Sequence, residues 1–460
     1  MGTMQHYRLP EPVAALLRGE EVRPGRVRCA CGREHEVAMR RLVNRPGALE
    51  ELPAVLERLG AGAAWVIADE HTDRAAGERV RSILGRAGIR LTASVLPGDP
   101  PPHPNEQALG RLALDIPGRD AAVVAVGSGT ITDLARFVAS RLEVPLVAVP
   151  TAASVDGFTS SVAAMIAGGV RVTYPAAPPA AVVADPEIYA HAPPRLTASG
   201  WAELSGKWTA LADWALAQAL NGEYRCPVAV QMVEEAAAPV RSAWERKEPG
   251  GGGSWHAPER VQALMRGLLQ VGVAMLMVGN SRPASGAEHH LAHFWEMRDL
   301  LEGREPALHG ERVGVGTLMV QRLYRALLET GPAAWPSPAL PSREQHEARV
   351  ARYFGRLAGP LLAEQRSWAD GPWRLFGRDS EEIARRRAHV VSRWDDAVAA
   401  VRPFLAPPEA LEAFLRSAGA PASWEELGLA SGVVTDSLRA AREVRSRYTV
   451  LHLAGELGVL

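Results

Sequence analysis

Glu288-His289-His290-Leu291-Ala292-His293 sets His289 and His293 four residues apart, so that on a helix the two imidazoles share one face. A second group follows at Leu308-His309-Gly310-Glu311-Arg312-Val313-Gly314. One helix offering an imidazole and a neighbouring helix offering another can hold a divalent metal and leave a position open for water or substrate. Histidines at this spacing are more often satisfied core or surface residues, and spacing alone favours that plainer reading.

A second chemistry-bearing pattern is the turn Gly127-Ser128-Gly129-Thr130, which follows the apolar run Ala121 to Val126 and leads into a helical stretch carrying Asp133. Glycines at a strand-to-helix turn let the backbone approach a phosphate, and a helix N-terminus presents unpaired N–H groups with partial positive charge. The turn is not the full G-x-G-x-x-G fingerprint, and its place after a buried strand brings a pyrophosphate site level with a plain turn as a reading. Two other strand ends add to this reading. Ala64 to Ala68 ends in Asp69-Glu70, where a carboxylate suits a ribose hydroxyl, with a helix N-cap as the competing role. Leu146 to Val149 ends in Pro150-Thr151-Ala152-Ala153-Ser154-Val155-Asp156-Gly157-Phe158-Thr159-Ser160-Ser161, small hydroxyl residues around one acid, as a ligand crevice requires. The three cysteines are Cys29, Cys31 and Cys226. Cys29-Ala30-Cys31-Gly32-Arg33-Glu34-His35 looks like part of a zinc site with one ligand missing, and is read as a tight turn with small buried thiols.

These residues need elements to position them. From Ala63 to Val149, apolar strand-like runs alternate with helical stretches over Ala75 to Gly88 and Thr132 to Leu142. Ala180 to Asp185 adds one more strand after an irregular segment from Gly168 to Pro179. This pattern predicts a parallel sheet covered on both faces. After Leu196 helical spacing takes over, notably in Leu196 to Asn221, Pro227 to Arg246, Pro258 to Gly279 and Arg312 to Glu329. Pro249 to Ser254 and Gly331 to Ser342 read as loops. The expected fold is therefore an α/β Rossmann-like N-terminal domain over residues 1–195 and an all-α C-terminal domain over 196–460.

Composition agrees with an ordinary globular protein. Lys+Arg 51 against Asp+Glu 52 gives a formal charge of -1, which offers no attraction to nucleic acid. No apolar run is read as approaching the ~20 residues of a bilayer span, and the N-terminus lacks a signal-peptide core, so a cytoplasmic protein without membrane insertion is expected.

Taken together, Val126 to Thr130, Pro150 to Ser161, Ser285 to Met297 and His309-Gly310-Glu311 resemble the bacterial sn-glycerol-1-phosphate dehydrogenases, relatives of glycerol dehydrogenase, iron-containing alcohol dehydrogenases and dehydroquinate synthase. The resemblance runs in order over most of the chain, the Cys29 to His35 segment included. It implies a dehydroquinate synthase-like fold with an active site in the cleft between its domains, NAD(H) or NADP(H), and one divalent metal, whether Zn, Ni or Fe. It also implies reduction of dihydroxyacetone phosphate, a phosphorylated small-molecule substrate, for phospholipid metabolism in a homo-oligomer. By matching, Glu203, His289 and His309 are the metal ligands. Asp69, Gly127, Ser128, Gly129, Thr130, Ile131, Thr151, Ala152, Ala153, Ser154 and Ser160 would hold the nucleotide, while Asp156, Glu203 and His293 would meet the substrate. His293, whose ring ordinarily titrates near neutrality, is expected to deliver or relay a proton. His290 has no matching role and is left as a supporting or surface residue.

One departure is Glu203, where these dehydrogenases carry Asp and dehydroquinate synthase carries Glu. Two other readings therefore accompany the main one: a dehydrogenase for another polyol or specialised metabolite, and a sugar-phosphate cyclase. A third is a binding protein that kept the fold and lost the chemistry. Only Lys207 and Lys247 are lysine among the 51 basic residues. Lys207 lies four residues after Glu203, and a compact amine with a tunable pKa suits phosphate binding or proton relay, so Lys207 is read as catalytic.

Overall fold

Strands that are apolar at every position need cover on both faces, and the chain supplies it. The computed structural model describes residues 6–460 apart from 169, 246–253, 337–341 and 367–379. Ten strands are present among the described residues: β1 Gly25–Arg28, β2 Glu34–Val37, β3 Arg41–Asn44, β4 Ala63–Asp69, β5 Arg90–Leu96, β6 Ala121–Gly127, β7 Leu146–Pro150, β8 Val162–Ala167, β9 Val170–Pro175 and β10 Ala181–Ala184. Six form one parallel sheet in the order β3-β10-β7-β6-β4-β5. Along β4, Ala64, Val66 and Ala68 join one buried cluster and Trp65 and Ile67 the other, so successive residues feed opposite cores. Two antiparallel hairpins, β1-β2 and β8-β9, stand apart from this sheet.

The chain forms two compact units. The first comprises Met1–Trp201, Pro227–Ala236 and Gly252–Ser281, and the second Ala202–Cys226, Ala237–Gly251 and Arg282–Leu460. A single cut after residue 195 was expected, whereas two stretches of the helical region group with the sheet. The helices that matter for the site are α1 Gly129–Leu142, α2 Pro194–Ser205, α3 Lys207–Asn221, α4 Pro227–Glu245, α5 Pro258–Val278, α6 Ala287–Leu301 and α7 His309–Thr330. The helix expected over Leu196 to Asn221 is broken at Gly206, where a side chain would sit 2.7 Å from Val313. The glycine run from Pro249 to Gly253, Lys247, and positions 337–341 of the other expected loop lie outside the described residues.

One expectation about composition needs correcting. The α5 helix is long and apolar enough to cross a membrane by length and composition, although Arg260, Arg266 and Gln270 interrupt its apolar residues. Of its most apolar window, 61% is buried inside the protein, as in the core helix of a folded domain.

Within the first unit, the long connection after β7 is fixed by Arg136 of α1, whose side chain is 1% exposed. Its guanidinium pairs with Asp133 at 2.6 Å and donates to the carbonyls of Gly157 (2.6 Å), Phe158 (3.1 Å) and Val162 (3.2 Å). Five rigid donors in a planar fork suit one side chain to several carbonyls. Arg136→Met should lower the unfolding free energy by about 3 kcal/mol, since three carbonyls and the partly buried Asp133 carboxylate lose their charged donor. Urea denaturation of the purified protein measures it.

Candidate metal centre and nucleotide site

In the second unit Glu203 leaves the last turn of α2, His289 the first turn of α6, and His309 is the first residue of α7. Their ligand atoms lie within 4.8 Å of one another. Glu203 Oε1 is 3.4 Å from His289 Nε2, and Glu203 Oε2 is 3.5 Å from His309 Nε2. Glu203 is fully buried, and its Oε2 has no hydrogen-bond partner. A buried carboxylate oxygen without a donor is costly unless a cation completes it. Two imidazole nitrogens and one carboxylate, grouped within 4.8 Å of one another, fit a divalent metal with an open position.

The electrostatics agree. Burial alone would raise the Glu203 carboxyl, but the Lys207 ammonium and the two imidazoles outweigh it and hold it well below the usual carboxylate range. Lys207 is fully buried and bonds Glu203 Oε1 and the Ala284 carbonyl, so the same-face placement expected for it survives the break at Gly206. Burial lowers the His289 ring, yet Glu203 and Glu288 overcome this and leave it above the ordinary imidazole value.

Glu288, for which no role is expected from local pattern, orients this site. Its Oε1 faces His289 Nδ1 at 2.8 Å, and because a carboxylate only accepts, the proton sits on Nδ1 and Nε2 is left for the metal. The carboxylate is itself held by Gly286 N (2.6 Å) and Thr209 Oγ1 (2.8 Å). Asp213 accepts from Ala287 N at 2.7 Å, from Tyr324 at 2.6 Å and from Val450 N at 2.8 Å, which seats the start of α6. Burial and the nearby Glu288 push Asp213 up to about 7.

His293 lies beside the ligands, its ring centroid 5.5 Å from His309 and 6.1 Å from His289. Arg445 donates to its Nε2 at 3.0 Å, and burial together with that guanidinium pushes the ring well below the usual range. The direction of this shift favours the unprotonated ring. His290 is fully buried against His452 and is not a surface residue.

In the first unit the expected nucleotide residues gather at the carboxyl ends of β4, β6 and β7. The strand order places β5 and β6 on opposite sides of β4, so the connections reverse direction there, and ligands of open α/β sheets bind at such switch points. The α1 helix starts behind Ser128 with no side-chain cap, leaving its first N–H groups open to an anion. Gly127 permits the close turn, since a Cβ there would lie 2.5 Å from that of Ile131. Thr151, Ala152, Ala153 and Ser154 are buried after β7, while Ser160 caps the start of β8 through Val162. For Asp69 the structure shows the competing role: its Oδ1 accepts from His71 N (2.8 Å) and Thr72 N (2.9 Å) as a helix cap.

Comparison with known proteins gives this geometry a context. Residues 43–193 match the family model described as iron-containing alcohol dehydrogenase. The chain is 31% identical to a Bacillus licheniformis glycerol-1-phosphate dehydrogenase [NAD(P)+], over 94% of this chain and 93% of that protein. The chain belongs to the glycerol-1-phosphate dehydrogenase family. The similarity extends to an enzyme of that name from Methanosarcina barkeri, 35% identical over 60% of this chain and 74% of the other. Among solved structures, a probable glycerol dehydrogenase from Sinorhizobium meliloti superposes with a TM-score of 0.56 at 18% identity, covering 90% of this chain and 94% of that one. The glycerol dehydrogenase of Schizosaccharomyces pombe superposes equally well, at 0.56 and 16% identity, covering 91% of this chain and 88% of that one. The expected α/β plus helical fold is thereby established.

Glu288→Gln should weaken metal binding by about 10- to 100-fold while the fold persists, measured by competition with a chelating dye. Binding should also fall as pH drops through the His289 titration, which lies above the ordinary imidazole range, because the metal needs the unprotonated ring. A metal titration repeated from pH 9 to pH 5 checks the direction.

Proposed function

We propose a residue-level division of labour by which this NAD(P)-dependent oxidoreductase reduces dihydroxyacetone phosphate to sn-glycerol 1-phosphate. The observation that carries it is the buried convergence of Glu203, His289 and His309, with Glu203 Oε2 lacking any donor. Glu203, His289 and His309 would hold one divalent metal, whose Lewis acidity polarises the substrate carbonyl and stabilises the charge growing on its oxygen.

The other residues bind and orient. The N–H groups of Gly129, Thr130 and Ile131 would receive the nucleotide pyrophosphate, with Gly127 and Ser128 shaping the turn and Thr151 to Ser154 and Ser160 walling the crevice. Asp69 would meet the ribose from its capping position. Asp156 and His293 would contact the substrate. Arg445, bonded to His293, brings positive charge towards a phosphorylated ligand. Neutral His293 would relay a proton to the reduced oxygen, taking one up as it gives one away. Lys207 keeps Glu203 ionised, so its catalytic part is to maintain the ligand in its binding form. The same proposal places the chain in the cytoplasm as a homo-oligomer, outside the membrane, and the burial of α5 supports the last point.

Metal-loaded protein given dihydroxyacetone phosphate should oxidise NADH or NADPH, and chiral analysis should find the 1-phosphate enantiomer. No oxidation despite bound metal and nucleotide would overturn this assignment. His293→Ala should lower kcat by about 10²-fold with metal content unchanged, as loss of a proton relay does.

A further inference from the structure

The motif Cys29-x-Cys31-x-x-x-His35 is one ligand short of a metal site by sequence, and the fold provides the fourth. Cys226 brings its sulfur to the other three, and the ligand atoms of Cys29, Cys31, His35 and Cys226 all lie within 4.8 Å of one another. These are all three cysteines of the chain, drawn from positions 226−31=195 residues apart, and none is in a disulfide. Cys226 is bonded directly to Pro227, where the chain re-enters the unit that contains the β1-β2 hairpin.

The surroundings are those of a ligand set. The two N-terminal cysteines lie in the tight turn between β1 and β2, closed by Cys29 N to Arg33 O and Gly32 N to Cys29 O, both 3.0 Å. Arg33 N donates to Cys31 Sγ at 3.4 Å, as backbone amides do to metal-bound thiolates. His35 Nε2 points at Cys31 Sγ, 3.2 Å away, while the Met277 backbone hydrogen-bonds the same ring. A backbone partner on one imidazole nitrogen fixes the other towards a metal. His35 is 7% exposed and Cys226 is fully buried, while Cys29 and Cys31 are half-buried, so the group lies at the edge of the interior.

We propose that Cys29, Cys31, His35 and Cys226 bind one structural zinc ion, a second metal site built from residues other than Glu203, His289 and His309. Three thiolates and an imidazole are a soft tetrahedral set, which selects zinc over the harder divalent ions. Zn–S bonds of about 2.3 Å and Zn–N bonds of about 2.0 Å separate tetrahedral ligand atoms by roughly 3.5–3.8 Å, within the 4.8 Å that spans the four ligand atoms. Loading displaces the three thiol protons into solvent. With four protein ligands the ion has no open position and is structural. It ties the hairpin to the start of α4, on the side where β2 packs against α5.

Purified holoprotein should carry two equivalents of metal by elemental analysis, and Cys226→Ser and Cys31→Ser should each retain one. A His289→Ala/His309→Ala variant should also retain one equivalent, which separates this site from the centre assigned to catalysis. If Cys226→Ser does not fold, cobalt decides: Co(II)-substituted wild-type protein should show the intense near-ultraviolet thiolate-to-cobalt band, which the sulfur-free site cannot produce. Absence of that band, or three thiols reacting at the rate of exposed cysteine in the metal-replete protein, would overturn the proposal.

Discussion

The constraint on which the second unit depends is a carboxylate with no water. Glu203 is fully buried, and a lone charge there would cost several kcal/mol, so every neighbouring element is arranged to answer it. Lys207 answers one oxygen from the start of the next helix, at the cost of a break at Gly206. From two further helices, His289 approaches that same oxygen and His309 the other one. The Lys–Glu pair alone would satisfy half of the group. The remaining oxygen turns a structural ion pair into a metal site, and makes the placement of α6 and α7 part of the chemistry.

Support then propagates outward in layers. Glu288 sets the His289 tautomer, Thr209 and Gly286 set Glu288, and Asp213 holds the segment that carries both. Burial, and after it the nearby Glu288 carboxylate, raises the Asp213 carboxyl. A metal at the site relieves part of this charge, so binding and local stability are coupled.

How much of this was legible in the sequence follows from distance along the chain. Four sheet strands, β4, β6, β7 and β10, were visible because burial on both faces makes a continuous apolar run. The edge strand β5 reads Arg90-Leu91-Thr92-Ala93-Ser94-Val95-Leu96 and is largely exposed, and β3 is only four residues long, so neither carried that signal. The ligands His289 and His309 were announced by local motifs. Glu288 was not given a role because adjacent helical residues do not face each other, and its contact with His289 depends on side-chain reach. Arg445 lies 152 residues from His293, and no local pattern encodes that pairing. The Asp69 cap was an alternative that only the backbone geometry could select.

The sheet has a consequence for the order in which the protein is made. Strand β3 pairs only with β10, in the register Arg41 to Ala181, so an edge strand synthesised early waits 181−41=140 residues for its partner. At 5–20 residues per second that interval is about 7–28 s, long compared with the collapse of a nascent chain. A long apolar strand left open for that time would be a template for the wrong neighbour. At four residues, bracketed by Arg40, Arg41 and Arg45, β3 is too short and too charged to serve as one.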